Sequence, residues 1–127
     1  MVAARDVDTR RLIYDGECGM CGRLARYAGA RLSGWDVVAF QALPDERLAE
    51  LGLTRADCAH SVQVASARTR PLSGARAVNA VLIAMQHPLA VAARAAEAWP
   101  PLLALEERGY RFVAANRPFF ARFVPRD

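Results

Sequence analysis

Leu12-Ile13-Tyr14-Asp15-Gly16-Glu17-Cys18-Gly19-Met20-Cys21 is the stretch that decides the fold. Its first residues, with Arg10 and Arg11 ahead of them, are apolar and partly β-branched, and they stop at Asp15-Gly16, a turn signal. That reads as a strand. From Cys18 to Leu32 the period becomes helical. At about 100° per residue, Cys18, Cys21, Ala25, Ala28 and Leu32 share one narrow arc with Leu24 at its edge, while Arg23, Arg26 and Ala30 lie opposite. A strand thus hands over to a helix whose buried stripe carries two cysteines.

Working outward, Ser33-Gly34 ends this helix and Trp35 to Phe40 reads as a second strand. Pro44-Asp45-Glu46 opens a helix that runs to about Leu51-Gly52. Thr54-Arg55-Ala56-Asp57 resembles a capping box with Asp in place of Glu, so a short helical turn follows. Ser61 to Ser66 alternates as a third strand, Ala67 to Thr69 is its hairpin turn, and Arg70 to Ser73 is a fourth strand. Pro71 restricts that strand to a sheet edge. After Gly74 the chain is helical: Ala75 to Gln86, Pro88 to Ala98, and Leu102 onward, separated by His87-Pro88 and Trp99-Pro100-Pro101. The order βαβα then ββα is a mixed α/β pattern, and the βαβ unit requires the first two strands to be parallel.

The composition agrees. At 127 residues, with 54% hydrophobic and 24% charged residues, the chain has the size and apolar content of one ordinary core. All 17 basic residues are Arg, scattered from Arg5 to Arg126 for a net charge of +4. The exclusive use of Arg, with the abundant Ala, resembles a GC-rich, bacterial coding bias. The scatter gives no concentrated basic face, so nucleic-acid binding is not expected. The N-terminus is polar, without the apolar core of a signal peptide. The most apolar stretch, Ala77 to Trp99, is broken by Asn79, Gln86, His87, Pro88, Arg94 and Glu97, so no membrane span is expected. A cytoplasmic chain follows, with residues 1–9 as a flexible N-terminus and one domain over 10–127. Three cysteines do not suit a disulfide framework.

A Cys-x-x-Cys pair serves zinc, haem and iron–sulfur sites as well as dithiol chemistry, so its position has to decide. No His follows Cys21, which excludes c-type haem attachment. A first helical turn offers unpaired N–H groups and a partial positive charge, both favouring a thiolate at Cys18. Cys21 lies one turn deeper on the apolar stripe. Cys18 is therefore expected to attack and Cys21 to resolve the mixed disulfide. Asp15 and Glu17 oppose a thiolate. The plainer reading is two small residues on a buried helix face.

Leu12 to Cys21 also resembles the opening signature of the DCC family of thiol–disulfide oxidoreductases, known too as a domain of unknown function. Phe40-Gln41, Gly74-Ala75-Arg76-Ala77, Trp99-Pro100, Tyr110 and Ala114-Ala115-Asn116-Arg117 look like further landmarks, so the likeness runs from about Arg10 to Phe120. It implies a thioredoxin-like fold, a four-stranded mixed sheet of order 2-1-3-4 with flanking helices and an extra helical C-terminal segment. It also implies a signature site of Asp15, Cys18 and Cys21, a cytoplasmic bacterial origin and no bound cofactor. Substrates would be disulfide-containing proteins or small-molecule thiols. Thioredoxins carry a cis-proline before their third strand; here that place reads Cys58-Ala59-His60-Ser61.

Other residues have two readings each. Asp15 relays protons to the resolving thiol, or orders the turn. Cys58 and His60 complete a Cys₃His zinc set with Cys18 and Cys21, or are a buried cysteine and a surface histidine; the second is favoured. Arg76 is read as solvated and His87 as a helix-end residue. Tyr110, Asn116 and Arg117 are read as structural. Phe112, Phe119, Phe120 and Phe123, with Arg122 and Arg126, form a basic aromatic foot for a membrane or partner, or core; core is the preferred reading. Two rivals to disulfide exchange stand: a metal-binding module on Cys18, Cys21 and Cys58, with or without His60, and a non-catalytic thioredoxin-like interaction domain.

Overall fold

In the computed structural model, which describes residues 9–66 and 69–120, the opening strand is β1 (Arg11–Tyr14), with its first three residues buried. β2 (Asp36–Ala39) pairs with it in parallel, Leu12 opposite Val37 and Ile13 opposite Val38. On its other side β3 (Gln63–Ser66) is antiparallel, and β4 (Thr69–Ser73) is antiparallel to β3. The sheet order is therefore β2-β1-β3-β4, the mixed thioredoxin-like arrangement expected. The parallel pair needs a crossover, and α1 (Gly19–Gly29) supplies it. Pro71 sits on the edge strand, where a missing N–H costs least. The expected turn residues Ala67 and Arg68, and all but the last residue of the expected flexible N-terminus, lie outside the described residues.

Alternation along the strands divides the core between the two faces of the sheet. Leu12 and Val64 meet Ala28 of α1, with Ala77 and Val81 of α4 (Gly74–Ala84). Ile13 and Ala65 face the other way, against Leu48 of α2 (Asp45–Glu50) and Cys58 of α3 (Arg55–His60). The capping box forms as read: Asp57 N–H donates to Thr54 Oγ1 at 3.1 Å and Thr54 N–H to Asp57 Oδ2 at 2.9 Å.

The C-terminal part continues as α5 (Ala90–Ala98), α6 (Pro100–Ala115) and α7 (Arg117–Phe120). α6 starts two residues earlier than expected because proline fits the first turn of a helix, where its absent N–H has no partner to lose. Trp99 before it is extended, as a residue preceding proline should be. Asn116 ends α6 and donates from Nδ2 to the Phe112 carbonyl at 2.8 Å. The preference for a core role is corrected for two of the phenylalanines: Phe112 is 63% and Phe119 51% exposed, while Phe120 is half-buried. Helical spacing tells that side chains share a side of a helix, but not whether anything covers that side. Phe123, Arg122 and Arg126 lie outside the described residues. Among the described residues no helix is long and apolar enough to cross a membrane.

Gly74 joins the sheet to α4 with φ at 58°, and a Cβ there would stand 2.7 Å from Glu107 Oε1. The same carboxylate accepts the Ala75 N–H through Oε2 at 3.0 Å, closing the start of α4 with a side chain from α6. Gly74→Ala therefore has to strain the backbone and displace the cap. An expected loss of about 1–3 kcal/mol is measurable by urea denaturation.

Candidate functional site

The chain leaves β1 through a turn built by Asp15. Its Oδ1 accepts the Glu17 N–H at 2.9 Å, and the Asp15 carbonyl accepts the Cys18 N–H at 3.2 Å. Gln41, just past β2, clamps the same turn from the neighbouring strand end. Its Nε2 donates to Asp15 Oδ1 at 2.8 Å while its Oε1 accepts the Gly16 N–H at 2.9 Å. Gly16 approaches so closely that a Cβ would lie 2.9 Å from Ala39 Cβ. The side-chain amide of Gln41 thus fixes where the cysteine loop begins.

Cys18 is not inside α1, as the helical arc had it, but caps it. Its backbone is extended (φ −90°, ψ 111°), and its Sγ accepts the Cys21 N–H at 3.3 Å. This is the place a Ser or Asp side chain takes at an N-cap, where an acceptor meets one of the unpaired amides of the first turn. Both cysteines are half-buried and free. The Cys21 thiol is pushed up to about 12, chiefly by burial. A hydrogen bond to Cys18 and the charges of Cys18 and Asp15 push the same way, and Arg117 pulls it down. Cys21 is therefore protonated at rest near neutral pH.

Two residues from the far end of the chain complete the surroundings. The Tyr110 hydroxyl of α6 accepts the Val62 N–H at 2.9 Å, and burial raises its phenol. Arg117 opens α7, which packs against α1. Its Nη2 donates to the His60 carbonyl at 3.3 Å, and its charge reaches both Cys21 and Tyr110. These backbone contacts fit the structural reading of both residues, and both also line the same trough as Cys21. Arg76, by contrast, pairs with Glu97 at 3.4 Å, and His87 Nδ1 accepts the Leu89 N–H at the end of α4.

The Cys₃His arrangement does not assemble. Cys58 is 1% exposed in the core on the opposite face of the sheet, where burial pushes its thiol up to about 11. Its neighbours there are Ile13, Phe40 and Leu48, which offer no metal ligand. His60 keeps its side chain at the surface. Among the described residues no three His, Cys, Asp or Glu side chains gather as a metal site.

A strand, a clamped Asp-Gly turn and a cysteine at the helix cap thus bring two thiols together at one helix start. The model of the DCC1-like thiol-disulfide oxidoreductases matches residues 12–123. The chain belongs to the DCC1-like family. No curated protein and no solved structure matches it. For this DCC1-like chain the matched region takes in the cysteine loop, Gln41, Tyr110 and Arg117 together.

Proposed function

We propose that the chain is a thiol–disulfide oxidoreductase in which Cys18 attacks a disulfide, Cys21 resolves the intermediate and Asp15 sets the loop and its charge. The Cys18 thiolate attacks R–S–S–R′, forming Cys18–S–S–R and releasing R′S⁻, which takes up a proton. Cys21 then loses its proton and attacks the Cys18 sulfur, releasing RS⁻ and leaving the Cys18–Cys21 disulfide. Two electrons pass to the substrate, and an external thiol resets the pair. The reading rests on one observation, the Cys18 sulfur at the helix cap as acceptor of the Cys21 N–H.

The protonated state of Cys21 suits this order. Two of the influences that raise it, the hydrogen bond to Cys18 and the charge of Cys18, disappear once Cys18 is tied up in a mixed disulfide. Cys21 then becomes more acidic when its turn to attack arrives. We place the reaction in the cytoplasm, where external thiol systems keep such pairs reduced; proteins and small molecules both remain substrates of this reading.

The test is a glutathione redox titration with mass-resolved alkylation. One reversible disulfide between Cys18 and Cys21 is expected, with Cys58 unmodified in the folded protein. In the reduced protein near neutral pH, Cys18 should be alkylated well before Cys21. If no reversible Cys18–Cys21 disulfide forms at any glutathione ratio, the proposal is wrong.

A further inference from the structure

α1 and α4 both start where β1 ends and β3 begins, and both run away from that end across one face of the sheet. Between them, roofed by α6, lies a trough of about 330 Å³. That lies within the range of small-ligand pockets, roughly 300–1,000 Å³. Its walls are almost wholly apolar, with Leu24, Ala28, Val81, Leu82 and Met85 among them. Leu24 on its wall is 47% exposed, an apolar side chain left without full cover. Cys21, Tyr110 and Arg117 line the trough as well.

The chemistry of that end is specific. No carboxylate among the described residues pairs with Arg117, whose one hydrogen bond goes to the His60 carbonyl. The resting neighbours of its charge, the Cys21 thiol and the Tyr110 phenol, are both raised and so neutral near pH 7. A guanidinium facing an apolar trough calls for an anion. An incoming peptide backbone would need a main-chain partner beside the cysteines. The Val62 N–H, just ahead of β3, is already taken by Tyr110, which disfavours strand-like docking of a polypeptide there.

Building on the dithiol reading above, we propose that the substrate is a small amphipathic disulfide. An apolar chain and a carboxylate branch close to one of its sulfurs. The chain lies in the trough, the carboxylate meets Arg117 and the sulfur reaches the cysteine pair. Cys18 attacks the sulfur of the anchored half and forms the mixed disulfide. The other half leaves as a thiol, and attack by Cys21 on Cys18 frees the anchored half as its thiol. Both electrons come from the dithiol, and the two thiols leave protonated.

N-Acyl cystines have this branching and serve as probes. Single-turnover reduction of N,N′-dioctanoyl-L-cystine by the reduced full chain is compared with that of N,N′-diacetyl-L-cystine. Each buried methylene is worth about fourfold in affinity, so half-saturation at least about tenfold lower is expected for the octanoyl probe. Its dimethyl ester should lose most of that gain, and Leu24→Gln should narrow the difference between the two acyl lengths. N-octanoyl-L-serine cannot exchange, so its binding by calorimetry reads the trough without redox chemistry. It should bind the wild type and bind Arg117→Gln about tenfold more weakly. Equal half-saturation for the two acyl lengths, or no binding of the serine analogue, overturns the proposal while leaving the dithiol reading intact. Binding of the analogue to a protein whose cysteines form no disulfide supports the trough and removes the dithiol reading instead.

Discussion

Cys21→Ser is expected to stop the reaction half-way and leave the substrate bonded to Cys18. The first step needs only Cys18, whose sulfur is already seated at the helix cap. Serine at position 21 retains the backbone N–H that holds that sulfur, so attack proceeds. The second step fails, because a serine hydroxyl does not displace sulfur near neutral pH. Cys58 cannot stand in: it is 1% exposed, in the core on the other face of the sheet. With excess disulfide, the variant should release one thiol per chain and gain the mass of half the substrate at Cys18. The wild type should release two thiols and gain none. Cys18→Ser, the complementary change, removes the attacking sulfur and should lower turnover by about a thousandfold or more, the scale on which a lost nucleophile acts. Two thiols released by Cys21→Ser, with no adduct in the intact mass, would show that Cys21 does not resolve.

How the chain builds this site was legible in proportion to how local the determinants are. The strand, the Asp-Gly turn and the cysteine stripe are contiguous in sequence, and backbone preference sets them within a few residues. The parallel pairing of β1 and β2 followed from the crossover alone. Cys18 was misplaced by one position because an arc on a helical wheel cannot tell the first helical residue from the cap. Cys18 and Cys21 are three apart in either case, but only the cap lets Cys18 Sγ meet an N–H. Gln41 lies 26 residues from Asp15, and Tyr110 lies 48 from Val62. Nothing in local spacing brings such pairs together; they meet because β2 ends beside β1 and α6 folds back over β3. The phenylalanines show the same limit in reverse. Their spacing puts them on one side of the C-terminal helices, and what covers that side is a tertiary matter.

The tertiary contacts also explain why the site needs the extra helices. Without α6 and α7, the cysteine pair would keep the Asp15 carboxylate that acts on Cys21 and lose the Arg117 guanidinium. Asp15 raises Cys21 on top of burial and Cys18, and Arg117 is the cation that opposes them. The N-terminal loop therefore carries both sulfurs and the C-terminal segment carries the cation that lowers Cys21.

Arg117→Gln and Asp15→Asn are accordingly expected to move the resolving step in opposite directions. Attack by Cys21 requires its thiolate, so below the thiol's own titration the rate rises with pH. Removing Arg117 takes away the influence that lowers Cys21, so less thiolate exists at a given pH and the rate profile moves to higher pH. Neutralising Asp15 removes one that raises it, and the profile moves to lower pH. Asparagine retains the Oδ1 that accepts from Glu17 and Gln41, so the turn survives and the charge alone is tested. The expected changes are smaller than the thiolate populations suggest. A thiol made more acidic is also a weaker nucleophile, and that returns about half of the effect on a logarithmic scale. A tenfold change in thiolate thus becomes about threefold in rate, and resolution in Arg117→Gln should be about threefold slower at neutral pH. Arg117→Lys, which retains the charge, should recover most of that loss. The measurement is release of the second thiol from a preformed Cys18 mixed disulfide, followed in rapid mixing from pH 6 to 9. If Asp15→Asn slows resolution instead of speeding it, Asp15 is passing the Cys21 proton on, and its part is proton relay rather than charge.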